Sequence, residues 1–207
     1  VKYVERPAVY IDKDIDISDE RVNRLKEEVE ITGNIYAEER LSASFLEYAG
    51  EEEWDHFWTK VFTLRRMREV MGKGSKRELF DFQSDHKYLL MAYSPSIQKQ
   101  LGRLLARGRE VPFYELKEEY SQLLTKALET PPTRERHINA CQHIAGHVKR
   151  QLSQEEKTLL ENRLEQYGSG EISLHVVRRT LKEWADKYED SYIQSQAYLK
   201  PHPFVEV

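Results

Sequence analysis

Five polar side chains recur along one stretch of the chain at helical spacing. Arg136, Asn139, His143, His147 and Arg150 follow one another at intervals of 3, 4, 4 and 3 residues. At 100° per residue they share one face of a helix. Cys141, Ile144, Ala145, Val148 and Leu152 share the opposite, apolar face. The polar row carries hydrogen-bond donors throughout and no carboxylate, which suits phosphate or sugar oxygens better than a cation. Gly146 lies on the same side. A glycine inside a helix costs about 1 kcal/mol against alanine, so the position invites close approach of another backbone or a ligand. The plainer reading is a solvated helix face whose histidines are incidental.

Other basic groups share the sign of this row. Lys99, Arg103 and Arg107 stand four apart, opposite a leucine stripe, and Arg109 follows them. Lys87 precedes Tyr88, and Lys149 adjoins Arg150. Residues 60–77 add Lys60, Arg65, Arg66, Arg68, Lys73, Lys76 and Arg77 against Glu69 alone, and Arg178, Arg179 and Lys182 form a further group. If these groups converge they form an electrostatic footprint for RNA, with Tyr88, Tyr93 and Tyr114 as stacking surfaces. Taken singly, each is a solvated face.

Catalytic readings fare worse. His143 and His147 sit at i and i+4, a metal-binding geometry, but Ile144 follows His143 where a metalloprotease helix needs glutamate, and no third ligand is in sight. His86, beside Asp85, falls in line with Phe82, Leu89 and Tyr93 and reads as a buried structural histidine, as does His137. Cys141 lies on an apolar stripe and reads as an inert thiol. The chain has no nucleophile elbow and no glycine-rich phosphate loop. The expectation is a protein with no catalytic residues, no metal and no cofactor.

The elements that position these residues are helical. Apolar periodicity predicts helices from Trp54 to about Gly72, from Ser75 to Tyr93, from 96 to 108, from Pro112 to Leu128, from Thr133 to about Leu152, from Ser153 to Tyr167, from 174 to 188 and over 190–199. Ser75 with Glu78, and Ser153 with Glu156, have capping-box spacing. Before Trp54 the pattern is weaker: an extended arm over 1–17, a helix over 19–31 closed by Gly33 and Asn34, and an ambiguous stretch over 34–53. The fold class is therefore all-α. It is a multi-helix domain of about eight helices over 54–207, behind an acidic, irregular N-terminal extension over 1–53.

Length and composition bound these readings. The chain of 207 residues carries a formal charge of −4 and 33% charged residues, enough length for one domain with an extension. The charge is uneven: residues 1–56 hold 16 acidic and 7 basic side chains, and 57–207 hold 20 and 25. The single cysteine excludes an internal disulfide and a multi-cysteine metal centre within one chain. No stretch reaches the roughly 18 apolar residues of a membrane span, and no charged-then-apolar leader opens the chain, so a cytoplasmic location is expected.

Several segments carry a family resemblance. The stretches DFQSDHKYLLMAYSP (81–95), LGRLLA (101–106), RERHINACQHIAGHVKRQLSQEEK (134–157) and YLKPHP (198–203) are similar to the YbgA-type domain. That family shows a His-Lys pair before a helix ending in Ser-Pro, a Thr–basic–His-x-Asn segment running into His, Gly and Lys, and a Tyr-Leu-x-Pro-x-Pro close. The matching positions are His86, Lys87, Thr133, His137, Asn139, His143, Gly146 and Lys149. The sequence departs from the pattern at SLHVV (173–177), where a proline-containing stretch is expected. Family members are often fused to a cysteine-ligated iron–sulfur domain resembling thiouracil desulfidases. The resemblance implies a non-catalytic accessory domain that binds RNA, above all tRNA, in connection with thiolated uracil. Lys87, Lys99, Arg103, Arg107, Arg136, Asn139, His143, His147, Lys149 and Arg150 are the candidate RNA or anion contacts. The alternatives are an interaction module for a separately encoded desulfidase-like protein, docked through the acidic arm, and a histidine-based enzyme.

Overall fold

A computed structural model of the chain describes residues 7–12, 15, 22, 25–26, 29–32, 39–73, 75–108 and 111–205. It divides into two units, Val1–Lys73 and Gly74–Val207. The boundary expected between 53 and 54 falls inside a helix, Glu51–Lys73. The first unit so defined holds 17 acidic and 12 basic residues, and the second 19 and 20. The charge asymmetry thus belongs largely to the basic end of that one helix. What distinguishes the second unit is where its cations stand.

Among its described residues the first unit carries a small sheet and two helices. Strands β1 (Ala8–Ile11), β2 (Glu30–Thr32) and β3 (Glu39–Leu41) form a parallel sheet in the order β2-β1-β3. Val9 registers with Ile31 on one side and with Glu39 on the other. The strands are too short for a legible period of two, and parallel pairing joins segments distant in sequence. Of the helix expected over 19–31, Val22, Leu25 and Lys26 are helical, whereas Glu30 and Ile31 belong to β2. The Gly33-Asn34 stop lies outside the described residues. Ser42 caps the short α1 (Ala43–Tyr48) by accepting from the Phe45 amide, and α2 (Glu51–Lys73) follows. Three glutamates open α2, where they complement the helix dipole. Its broad apolar surface joins the core: Phe57, Trp58 and Val61 pack with Val9, Ile11, Val22, Leu25 and Leu41, and Phe45 and Trp54 meet edge-on at 4.9 Å.

Every regular element among the second unit's described residues is a helix: α3 (Lys76–Asp85), α4 (Lys87–Tyr93), α5 (Pro95–Ala106), α6 (Phe113–Ala127), α7 (Arg134–Val148), α8 (Gln154–Ser169), α9 (Leu174–Lys187) and α10 (Ser191–Gln194). The all-α fold class holds here. α4 is buried on most of its circumference, at Tyr88, Leu89, Leu90, Ala92 and Tyr93. It packs against α3, α5 and α7, while α9 packs against α7, α8 and α10.

Several helix ends fall where sequence signals place them. Ser94 caps α5 with Pro95 next to it, Thr133 caps α7, and Ser153 with Glu156 completes a capping box on α8. Gly170 closes α8 at φ 85°, a left-handed conformation that glycine adopts without a Cβ clash. Ser75, by contrast, makes no side-chain cap bond.

Two helix boundaries differ from expectation. The helix predicted over 75–93 breaks at His86. There the C-terminal tail takes its backbone groups: the Ala197 amide donates to the Asp85 carbonyl at 2.8 Å, Gln196 donates to the Ser84 carbonyl at 2.9 Å, and the Tyr88 amide donates to Gln196 at 3.4 Å. The helix predicted to reach Leu152 ends at Val148, where the amides of Gln151 and Leu152 both turn back onto its carbonyl. Arg150 and Leu152 therefore lie beyond α7. The predicted helix over 190–199 shortens to α10, capped by Asp190.

The tail also anchors the core. Tyr198, 1% exposed, places its hydroxyl 3.0 Å from His137 Nδ1 and 3.3 Å from Cys141 Sγ. The guanidinium of Arg178 lies 5.1 Å from its ring. Burial pushes the Cys141 thiol up to about 11 and the Tyr198 phenol well above its ordinary range. His86 is buried too, stacked on Phe82 at 3.9 Å with Nδ1 on the Phe82 carbonyl. His86, His137 and Cys141 are thus buried, as their positions on apolar faces foretell.

Candidate nucleic-acid interface

Packing engages some of the four basic groups and leaves others open. Around α2 and the start of α3 the cations have partners. Lys60 pairs with Glu39, buried Arg65 lies 3.6 Å from Glu69, Arg66 donates to Thr63, and Arg77 lies 4.0 Å from Asp81. Lys76 donates to the carbonyls of Gly108 and Val111, closing the end of α5. The side chain of Lys73 lies outside the described residues. On α9, Arg178 is 2% exposed and Lys182 pairs with Asp186 one turn on. The sequence groups Arg178 with Arg179 and Lys182 on a basic surface; it belongs to the core instead. Its position on α9 beside Val177 and Leu181, both buried, is the reason.

α5 behaves differently. Ile97, Leu101, Leu104 and Leu105 are buried, which turns Lys99, Arg103 and Arg107 outward, all exposed. Among the described residues none of the three meets a carboxylate. Arg107 stands at the C-terminal cap of α5, where a cation also meets the negative end of the helix dipole. Arg109 lies outside the described residues.

The row on α7 separates into three parts. Arg136 is exposed, and it donates to the Tyr93 carbonyl at 3.0 Å, satisfying the end of α4. Asn139 and His143 are exposed in mid-helix, with Lys149 at the C-cap and Arg150 beyond it, also exposed. His147 is hydrogen-bonded at one ring nitrogen and has a carboxylate near the other. The Tyr88 hydroxyl lies 2.7 Å from Nε2, and Asp190 Oδ2 lies 3.9 Å from Nδ1. The row that lacks a carboxylate in sequence gains one in space. Burial first, then the charges of Tyr192 and Asp190, pushes the Tyr88 phenol up to about 12.

Tyr192 completes this corner. Its ring lies 5.2 Å from that of His147, tilted by 31°. The Lys87 ammonium lies 5.1 Å from the Tyr88 ring and 6.0 Å from that of Tyr192. Of the tyrosines expected to stack on bases, Tyr88 and Tyr93 are 2% and 4% exposed and present no free face. Tyr114 is 67% exposed but stands on α6, bonded to Glu115. The half-exposed Tyr192 and its neighbour Asp190 escape sequence reasoning. They lie more than 40 residues from α7 and meet it only through the packing of α10. Their signal is the Asp-Ser-Tyr start of a short capped helix, which says nothing of a partner.

The candidate contacts thus form two patches. Lys99, Arg103 and Arg107 line α5. Asn139, His143, Lys149 and Arg150 line α7, with His147 and Lys87 at its edge. α4 packs between the two helices, and Arg136 reaches Tyr93, the last residue of α4. The groups on α2 and α9 contribute no comparable strip. Among the described residues, no set of three or more His, Cys, Asp or Glu side chains is placed to hold a metal, and no helix is long and apolar enough to cross a membrane.

A family model described as "Protein of unknown function (DUF1722)" matches residues 87–203. The match begins at Lys87 and spans α4 to the tail, including both patches. No curated protein and no solved structure matches the chain.

Proposed function

We propose, from the premise that the chain belongs to the DUF1722 family of proteins of unknown function, that its second unit is a non-catalytic module that binds RNA, and that the RNA is tRNA. One observation carries this reading. Lys99, Arg103, Arg107, Lys149 and Arg150 are exposed and meet no carboxylate among the described residues, in a chain with 36 acidic side chains. Phosphates are the partners such cations lack. The link to thiolated uracil comes from the resemblance to YbgA-type domains. A cluster-bearing desulfidase would have to be supplied by another protein or another segment, since this sequence holds one cysteine.

A gel-shift titration of tRNA across a salt series tests the reading. Affinity should fall steeply with salt, and Lys99→Ala/Arg103→Ala/Arg107→Ala should flatten the slope by roughly one unit for each phosphate no longer neutralised. A slope unchanged in the triple variant refutes the α5 strip. The second reading, docking to a desulfidase-like partner, draws on the acidic excess of residues 1–73. Loss of partner co-purification on deleting residues 1–50, with tRNA binding intact, would support it.

A further inference from the structure

Near the end of α7 three features meet that packing alone does not account for. The first is Gly146. A Cβ at this position would meet nothing within 4 Å, so alanine would fit and would favour the helix. No neighbour requires the glycine; an approach from the solvent side would. Asn139, His143 and Gly146 fall at i, i+4 and i+7, so the opening lies on the exposed polar face.

The second feature is the ring of His147. Both nitrogens face protein groups, Tyr88 and Asp190, yet 36% of the side chain is exposed. What remains for a ligand is the ring itself, oriented by the Tyr88 hydroxyl. The third is Tyr192, whose ring packs on that of His147 at 5.2 Å and 31°, with the Lys87 ammonium over it at 6.0 Å. An aromatic surface, an adjacent cation and a gap in a helix face together match single-strand recognition. Bases stack on rings, ammonium groups neutralise phosphates, and the strand comes close where no side chain intervenes. A duplex keeps its base faces stacked inside and cannot use such a surface.

We propose that His147, Tyr192 and Gly146 seat one unpaired nucleotide of an RNA strand. The base extends the stack that the His147 and Tyr192 rings make, on its exposed side. The sugar–phosphate backbone passes over Gly146 beside His143 and Asn139, and Lys87 faces a phosphate. His147 is then a stacking residue rather than a phosphate ligand, and Tyr88 and Asp190 are positioning residues. The site rests on the RNA reading and narrows it: the α5 strip attracts any RNA, and this corner selects unpaired segments.

Fluorescence anisotropy with a labelled uridine-rich single-stranded oligoribonucleotide, and with the same strand annealed to its complement, tests the proposal in the full chain. The wild type should prefer the single strand by about tenfold. Gly146→Ala should unfold at an equal or higher temperature, lose about tenfold for the single strand and keep its duplex affinity. Tyr192→Ser should weaken single-strand binding similarly, and Tyr192→Phe, which keeps the ring, should restore it. Single-strand binding unchanged in both Gly146→Ala and Tyr192→Ser overturns the corner; the α5 strip stands in that case if the triple variant still weakens both RNAs. Failure of the wild type to bind either RNA at low salt overturns the corner and the RNA reading together.

Discussion

Arg178 and Arg103 are both arginines on amphipathic helices of the same unit, and their surroundings are opposites. Arg178 is buried on α9, its guanidinium beside the Tyr198 ring. Arg103 stands on the outer face of α5, with solvent around it and no carboxylate in reach among the described residues. The difference generalises to the groups they represent. Basic residues on α2 and α9 mostly answer to carbonyls, carboxylates or rings of the protein itself, and those on α5 and at the end of α7 do not. A basic cluster in sequence therefore has two physical meanings, and only the packing of the helix behind it separates them.

The largest effect expected from this contrast is on stability. Arg178→Ala removes a large buried side chain from the Tyr198, Cys141 and His137 network and should cost about 3 kcal/mol. Arg103→Ala should stay within about 0.5 kcal/mol of the wild type. Urea unfolding followed by circular dichroism measures both. Equal midpoints for the two variants would erase the distinction between the core and strip arginines.

Binding should show the reverse order. Lys99→Ala/Arg103→Ala/Arg107→Ala should lower tRNA affinity at least about tenfold at low salt, with the unfolding midpoint unmoved. A triple variant that binds as the wild type while unfolding earlier would turn the strip into a structural feature.

The helical body is legible in the sequence for local reasons. Caps at Ser94, Thr133 and Ser153, and the leucine stripe of α5, act within a few residues and appear in any window of that length. So does the burial of His86, His137 and Cys141, because each sits on an apolar face. What escapes depends on contacts across long sequence distances. The break at His86 needs Gln196 and Ala197. The passage of Arg178 into the core needs Tyr198. The sheet needs residues 8–11 to pair with 30–32 and 39–41. At the candidate site the α5 strip is readable for the same local reason as its leucines, whereas Tyr192 and Asp190 join His147 only through the placement of α10.

A paired carboxylate between α8 and α9 gives the comparison a pH axis. Glu156 accepts from Lys187 at 2.8 Å, from the Ser153 amide at 2.8 Å and from the Tyr188 hydroxyl at 2.7 Å. These bonds, led by Lys187, pull its carboxyl down to about 2 from an ordinary 4.5. A depressed folded value means stability that is present above 4.5 and is lost as pH falls towards 2. Thermal unfolding should therefore decline over that window, and less steeply in Glu156→Gln. An identical slope in the variant would mean that other carboxylates set the acid limit.

The smallest effect is the most discriminating. Lys182 and Lys99 are both lysines on helices of the second unit, but Lys182 pairs with Asp186 four residues on, and Lys99 meets no carboxylate among the described residues. An i, i+4 pair at a partly exposed site is worth only about 0.3–0.5 kcal/mol. Lys182→Ala should thus lower stability by about that amount, with the loss shrinking in high salt, and leave tRNA binding unmoved. Lys99→Ala should leave stability unmoved and reduce the salt slope of tRNA binding by roughly one unit. The two substitutions remove the same charge from the same unit, so net charge alone predicts equal losses of binding. Only if the local arrangement of cations governs RNA contact will the two variants part.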